Sequence, residues 1–283
     1  MEPPHFNSLN SLEQDALELA ARTVINSDYV ISLVGAGLSV ESGIPTFRGP
    51  DGSSNGLGKT SMNSYNSFLS DPSAWWCHNL DQYADPERTK FRNAIDAATP
   101  NLGHFALAKM EQMGILKHQI TQNVDNLHFE AGSRSVSEIH GNRKKLRCVG
   151  CEQRWDRELF PNWTVLSEQK CSTKEFPPIC PACGGFVKTD TVMFGEPIPS
   201  EIFLECFEKT SQSDCILVIG TSATVYPAAR FPQDISSSGG VIIEANRNET
   251  PLSKIATHIL RGSTSITLPA LVSRIEAIKK ELI

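Results

Sequence analysis

The apolar run Tyr29-Val30-Ile31-Ser32-Leu33-Val34 leads straight into Gly35-Ala36-Gly37-Leu38-Ser39-Val40-Glu41-Ser42-Gly43-Ile44-Pro45-Thr46-Phe47-Arg48-Gly49. No other junction in the chain restricts the fold as strongly. Such a continuous apolar run reads as a parallel strand buried on both faces. A strand that opens into glycine and small residues lets backbone N–H groups come close to a pyrophosphate. The ordinary dinucleotide fingerprint has a third glycine at the place of Val40, and an acidic residue about 20 positions on. Here that later stretch is Asn55-Gly56-Leu57-Gly58. The turn is therefore built for a dinucleotide, but not in the manner of a dehydrogenase.

Strand and helix patterns alternate along the rest of the chain. Ser11-Leu12-Glu13-Gln14 has capping-box form and starts a helix that carries Ala16, Leu19, Ala20 and Val24 on one face. A helix is expected over 101–113, a strand over 118–121 and a helix over 200–208. Strands follow at 215–219, 241–243 and 257–259, with a closing helix from Leu268. This alternation predicts an α/β fold with a doubly wound, Rossmann-like parallel sheet. At 283 residues the chain is long enough for more than one part. The main domain is expected over 1–50, 95–145 and 190–283, interrupted by a flexible helical module at 51–94 and a metal-held module at 146–189. Polar clusters follow the strands: Gly35-Ala36-Gly37, Gln122-Asn123-Val124-Asp125, Gly220-Thr221-Ser222 and Ala245-Asn246. In an open parallel sheet these converge on one crevice outside the carboxyl ends of the strands.

Charge and cysteine usage narrow the function. A net charge of −6 gives no general attraction to nucleic acid. No apolar run approaches the ~20 residues of a membrane span. Met1-Glu2-Pro3-Pro4-His5-Phe6 carries no secretory or mitochondrial signal, so the nucleus or cytoplasm is the expected location. Four of the eight cysteines form Cys148-Val149-Gly150-Cys151 and Cys180-Pro181-Ala182-Cys183. Two such knuckles suit one tetrahedral Zn²⁺, and four protein ligands leave no open position, so the metal is expected to be structural. The remaining cysteines have no regular spacing, which predicts a reducing compartment without a disulfide framework. The chain has seven histidines, side chains whose near-neutral pKa suits a general base.

Taken in order, the Gly35–Gly49 segment, Thr121-Gln122-Asn123-Val124-Asp125-Asn126-Leu127-His128, His140-Gly141, the paired knuckles and Phe194-Gly195-Glu196 resemble the sirtuins. These are NAD-consuming protein-lysine deacylases, and the resemblance runs from about residue 20 to 275. It implies that Gly35, Ala36, Gly37, Ser39, Gly43, Ile44, Phe47, Arg48, Gln122, Asn123 and Asp125 hold the pyrophosphate, ribose and nicotinamide. Gly220, Thr221, Ser222, Asn246, Arg247 and Thr264 are implied at the adenine end. His140 matches the catalytic histidine, assisted by Asn123 and Asp125. Val192, Phe194, Gly195 and Glu196 match the loop beside which an acyl-lysine protein lies as an added strand. NAD is then a consumed co-substrate, and the products are nicotinamide, free lysine and an O-acyl-ADP-ribose. A monomer with no direct nucleic-acid or membrane partner is expected.

The sequence departs from the family pattern in two places. Lys188-Thr189-Asp190-Thr191 stands where an Arg-Pro pair and valine are usual, which bears on peptide preference. Ser39-Val40-Glu41-Ser42-Gly43 and Val225-Tyr226-Pro227-Ala228-Ala229 lean toward the sirtuin-5-like branch of acidic-acyl deacylases, yet 71–101 contains no Tyr-x-x-Arg pair. An acidic acyl group would remain an unpaired charge in a pocket without a cation. Acetyl or another neutral group is therefore the expected substrate, unless Arg88 or Arg92 reaches the pocket. A desuccinylase or demalonylase, an ADP-ribosyltransferase using the same pocket, a non-enzymatic zinc-stapled binding module and a dehydrogenase stand as rivals. Val40 and the missing carboxylate weigh against the last.

Overall fold

The structure is a computed structural model that describes residues 11–46, 64–81, 83–160 and 176–281. Helix α1 (Ser11–Asn26) feeds strand β1 (Val30–Val34), and a 3-10 helix at Ala36–Ser42 follows at once. Helices α2 (Tyr65–Ser70), α3 (Pro72–Leu80), α4 (Pro86–Ala97) and α5 (Leu102–Gln112) precede strand β2 (Leu116–Thr121). After α6 (Leu127–Glu130) and β3 (Val136–Glu138) come three short strands, β4 (Lys145–Cys148), β5 (Arg154–Asp156) and β6 (Val187–Thr189). The chain closes with α7 (Ser200–Gln212), β7 (Cys215–Ile219), α8 (Arg230–Ser237), β8 (Val241–Asn246), β9 (His258–Arg261) and α9 (Thr264–Glu281).

Six strands form one parallel sheet in the order β3-β2-β1-β7-β8-β9. Alternation along each strand sends side chains to two cores. Val30 and Val34 of β1 and Leu217 and Ile219 of β7 meet α1, α5 and α9 through Leu17, Val24, Leu107, Leu268 and Ile275. Ile31, Leu33, Ile216 and Val218 face the other way, onto Cys206 of α7 and Phe231 and Ile235 of α8. Both faces are covered, which is why β1 and β7 are buried at every position. The expected helix at 101–113 forms as α5, and its cap is reciprocal. The Asn101 side chain accepts from Gly103 N–H at 2.9 Å while Asn101 N–H donates to His104 Nδ1 at 3.3 Å.

Strands β5, β4 and β6 make a separate antiparallel sheet. Helices α2 and α3, from the stretch expected as a flexible helical module, pack onto it. Phe68, Trp75 and Trp76 share a core with Leu146, Phe176 and Val187, and Trp76 Nε1–H donates to the Val187 carbonyl at 2.9 Å. Three large aromatic side chains, each about 1% exposed or less, hold these helices down. Cys77 of α3 is disulfide-bonded, contrary to the expectation drawn from irregular spacing. Sequence spacing carries no information about which distant thiols meet in space.

Candidate active site

The site begins at the register of β1. Val34 lies beside Thr121 of β2 on one side and Ile219 of β7 on the other. The residues that follow, Gly35, Gln122 and Gly220, must then emerge together where the strand order reverses. Gly35 N–H donates to the Ile219 carbonyl at 2.9 Å, Gln122 N–H to Val34 at 2.9 Å and Gly37 N–H to Gly220 at 2.8 Å. A Cβ on Gly37 would lie 2.6 Å from Gly220 Cα, and one on Gly220 would lie 2.5 Å from Leu38 N. Two backbones in contact across the crevice explain both glycines, and Gly220 also needs its φ of +58°. Gln122 Nε2 donates to Thr221 Oγ1 at 3.0 Å, and Asn246 Nδ2 to the Thr221 carbonyl at 3.0 Å. At the far end Arg247 and Ser263 both donate to Glu41, tying the 3-10 helix to β8 and to the start of α9. This floor of small residues and aligned amides fits a dinucleotide.

A buried polar chain lies under that floor. Asn123 Nδ2 donates to the Gly35 carbonyl at 3.1 Å and to Ser39 Oγ at 3.2 Å. Ser39 Oγ–H donates to Asp125 Oδ2 at 2.7 Å, and Leu127 N–H to Asp125 Oδ1 at 3.0 Å. Burial pushes the Asp125 carboxyl above its ordinary range, against the hydrogen bonds from Ser39 and Leu127. Because His104 Nδ1 accepts from Asn101, its proton sits on Nε2, 3.5 Å from Ser39 Oγ. Burial holds His104 at a pKa of about 2, with His128 opposing its charge as well, so this ring is neutral.

His140 occupies the opposite wall. Its Nδ1–H donates to the Gln122 carbonyl at 3.2 Å, leaving Nε2 as the unprotonated nitrogen. Burial lowers the pKa of this imidazole, partly offset by the Gln122 bond. The cavity measures about 1630 Å³. Of the residues singled out from sequence, Gly35, Ala36, Gly37, Gln122, Asn123, His140, Val192, Phe194, Gly195, Glu196, Gly220, Thr221, Ser222, Asn246, Arg247 and Thr264 line it. Ser39, Gly43, Ile44 and Asp125 do not. Asp125, expected to assist catalysis, is 4% exposed and is linked to the cavity lining through Ser39 and Asn123. Phe47 and Arg48 lie outside the described residues.

Four arginines on the wall escaped the sequence reading or were left open by it. Arg88, Arg92, Arg143 and Arg157 line the same cavity as His140. Arg88 and Arg92 are one helical turn apart on α4, the i,i+4 spacing that marks a shared face. Burial lowers them to about 10 and about 9, and each guanidinium feels at least one other arginine. The premise of a pocket without a cation therefore does not hold. The Tyr-x-x-Arg search failed because it asked for one local spacing, whereas these cations come from α4, from the turn after His140 and from the residues after β5.

The four knuckle cysteines meet at the edge of the small sheet. Their sulfurs all lie within 4.8 Å of one another, with Cys148–Cys183 at 3.4 Å and Cys151–Cys180 at 3.7 Å. Tetrahedral Zn–S bonds of about 2.3 Å place sulfurs about 3.8 Å apart. Gly150 and Gly185 N–H groups point at Cys148 and Cys183 sulfurs at 3.3 and 3.4 Å, as thiolate ligands require. The donor set fits a structural zinc.

A sequence model of the Sir2 family matches residues 35–227. The chain belongs to the Sir2 family. An NAD-dependent protein deacylase of Pyrococcus abyssi is 40% identical over 256 residues, covering 90% of this chain and 96% of that protein. A solved Sir2 homolog–NAD complex superimposes with a TM-score of 0.72 at 34% identity, covering 92% of this chain and 94% of that one. A Sir2 structure with p53 peptide and NAD+ gives a TM-score of 0.68 at 30% identity, covering 94% and 98%. The parallel sheet, glycine crevice and four-cysteine cluster are thus the parts of a Sir2 protein.

Proposed function

We propose that this chain is an NAD-dependent protein-lysine deacylase that releases nicotinamide, free lysine and O-acyl-ADP-ribose. One observation carries the reading: the unprotonated Nε2 of His140 belongs to the same cavity as Asn123 and the Gly35–Gly37 turn. Bound NAD supplies an anomeric carbon from which nicotinamide can leave. The chain does the rest. The side-chain-free glycine crevice lets the phosphates approach the backbone and the hydroxyls of Thr221 and Ser222 hold them, while Asn246, Arg247 and Thr264 hold the adenine end. Asn123, oriented by Ser39 and Asp125, fixes the nicotinamide side. His140 Nε2 accepts a hydroxyl proton at neutral pH, since burial keeps the imidazole uncharged. An extended acyl-lysine peptide lies along residues 192–196. Mass spectrometry after incubation with NAD and acyl-peptides tests this. ADP-ribose attached to protein would point instead to the transferase, NADH to a dehydrogenase, and no turnover to a binding module.

A second reading concerns the acyl group. Four guanidiniums share the wall, Arg143 ion-paired with Asp96 and Arg92 donating to Asn79. Positive charge gathered on that wall favours an acyl chain ending in a carboxylate, succinyl or malonyl, over the acetyl group expected from sequence. One charge-assisted hydrogen bond contributes about 1.5–3 kcal/mol, roughly 10- to 150-fold in kcat/KM. Succinyl peptides should exceed acetyl peptides by that margin, and Arg92→Met or Arg88→Met should erase it. Acetyl preference in the unaltered enzyme would restore the reading from sequence.

A further inference from the structure

Lys188 lies in the segment that departs from the usual sirtuin pattern, and its side chain is wholly buried in the middle of β6. Its three protons have three acceptors: the Thr189 carbonyl at 2.9 Å, the Thr191 carbonyl at 3.0 Å and Glu196 Oε1 at 3.0 Å. The other Glu196 oxygen accepts from Met193 N–H at 2.8 Å, and Glu196 N–H returns to the Met193 carbonyl at 3.0 Å. The carboxylate thus closes the 193–196 turn on itself, and the ammonium ties that turn to the small sheet. The same loop is tied to the His140 wall on one side and to the start of α2 on the other. Val192 N–H donates to the His140 carbonyl at 2.9 Å, while the Phe194 carbonyl accepts from Tyr65 N–H at 3.0 Å and the Phe194 side chain stays 69% exposed.

We propose that Lys188 is a positioning residue for the peptide substrate: its buried ammonium holds residues 191–196 in the shape that receives the acyl-lysine strand. The proposal rests on the deacylase reading. Neither the Gly35–Gly37 turn nor the Gly220 turn contacts Lys188 through a hydrogen bond, so dinucleotide affinity should not depend on it. A methionine of similar length would leave Glu196 buried opposite no charge, and the turn would lose its tie. An arginine keeps the charge and the donors.

The test compares wild type, Lys188→Met and Lys188→Arg in full-length protein with a fluorescent acetyl-lysine or succinyl-lysine peptide. Lys188→Met should raise peptide KM roughly tenfold or more. KM for NAD should stay within about twofold, with kcat falling less than peptide KM rises, and Lys188→Arg should return most of the loss. An unchanged peptide KM, a parallel rise in KM for NAD, or no rescue by arginine would overturn the proposal. If Lys188→Met does not fold, Glu196→Gln, which keeps the acceptor for Met193 N–H, should give the same split, and its absence counts against the proposal equally. Peptide binding by anisotropy separates the two readings. A wild type that binds peptide more tightly than Lys188→Met but does not deacylate sinks only the deacylase assignment. A wild type that deacylates with Lys188→Met unaffected sinks only the role of Lys188, and a wild type that binds no peptide sinks both.

Discussion

Asp125→Asn is the sharpest probe of the polar chain beneath the crevice. The carboxylate accepts two hydrogen bonds, from Ser39 Oγ–H at 2.7 Å and Leu127 N–H at 3.0 Å. An asparagine has one oxygen and one NH₂ in the same space. If the oxygen stays with Leu127, the NH₂ faces Ser39 Oγ, toward which Asn123 Nδ2 at 3.2 Å and His104 Nε2 at 3.5 Å already point. Three donors then crowd one hydroxyl whose own proton has lost its acceptor. If the amide turns over, the NH₂ meets Leu127 N–H instead. Either way one charge-assisted bond is lost, about 1.5–3 kcal/mol, and the orientation of the Asn123 amide is released. Deacylation kcat/KM should fall roughly 10- to 150-fold. Ser39→Ala should fall by a comparable amount, and the double variant by little more than either single one, since all three break one chain. Initial rates over a range of NAD and peptide concentrations measure this, with far-UV circular dichroism to show that the sheet is intact. Wild-type kcat/KM in Asp125→Asn would refute the positioning role, and additive losses in the double variant would refute the chain.

His140→Ala should reduce deacylation at least 10²-fold with the fold retained, as expected for a lost general base; more than a tenth of wild-type activity would remove it from the mechanism. Because burial lowers the His140 pKa, the acid limb of kcat/KM should fall below pH 6.5, not above it. Cys148→Ser or Cys183→Ser should lose bound zinc, measured by metal analysis, together with thermal stability. Buried His104 and His128 have folded pKa values of about 2 and about 4, below their unfolded values. The unfolded chain therefore binds more protons below pH 6.5, and stability falls as pH drops, by about 2 kcal/mol for each histidine by pH 5. Urea midpoints at pH 7 and pH 5 check the sign.

The parallel sheet was legible because β1 and β7 are buried on both faces and therefore read as unbroken apolar runs. Their turns were equally plain, since Gly35, Gly37 and Gly220 are dictated by backbone contact. Strand β3 and helix α8 were missed. The first is three residues long, and the second starts from Ala229 with no side-chain cap and carries Pro232, so neither announces itself in the sequence. Asp125 was expected in the pocket and lies beneath its lining, because a sequence motif does not separate residues that line a cavity from those that support the lining. The arginine wall was hidden for a different reason. Its members come from distant segments, and only tertiary packing of α4 against Val124, Ile44 and Leu127 brings them to one surface.

The central place of β1 also bears on how the protein forms. Its two neighbours in the sheet end at residues 121 and 219, so the crevice exists only after two long loops have closed. Such non-local pairing slows folding. A nascent chain that has reached residue 214 already contains the glycine turn, His140 and both cysteine knuckles. It has no β7, however, and Gly35 and Gly37 have no carbonyl partners at Ile219 and Gly220. The capacity to hold a dinucleotide should therefore arrive late in synthesis, in one step, when the fourth strand of the sheet docks against the first.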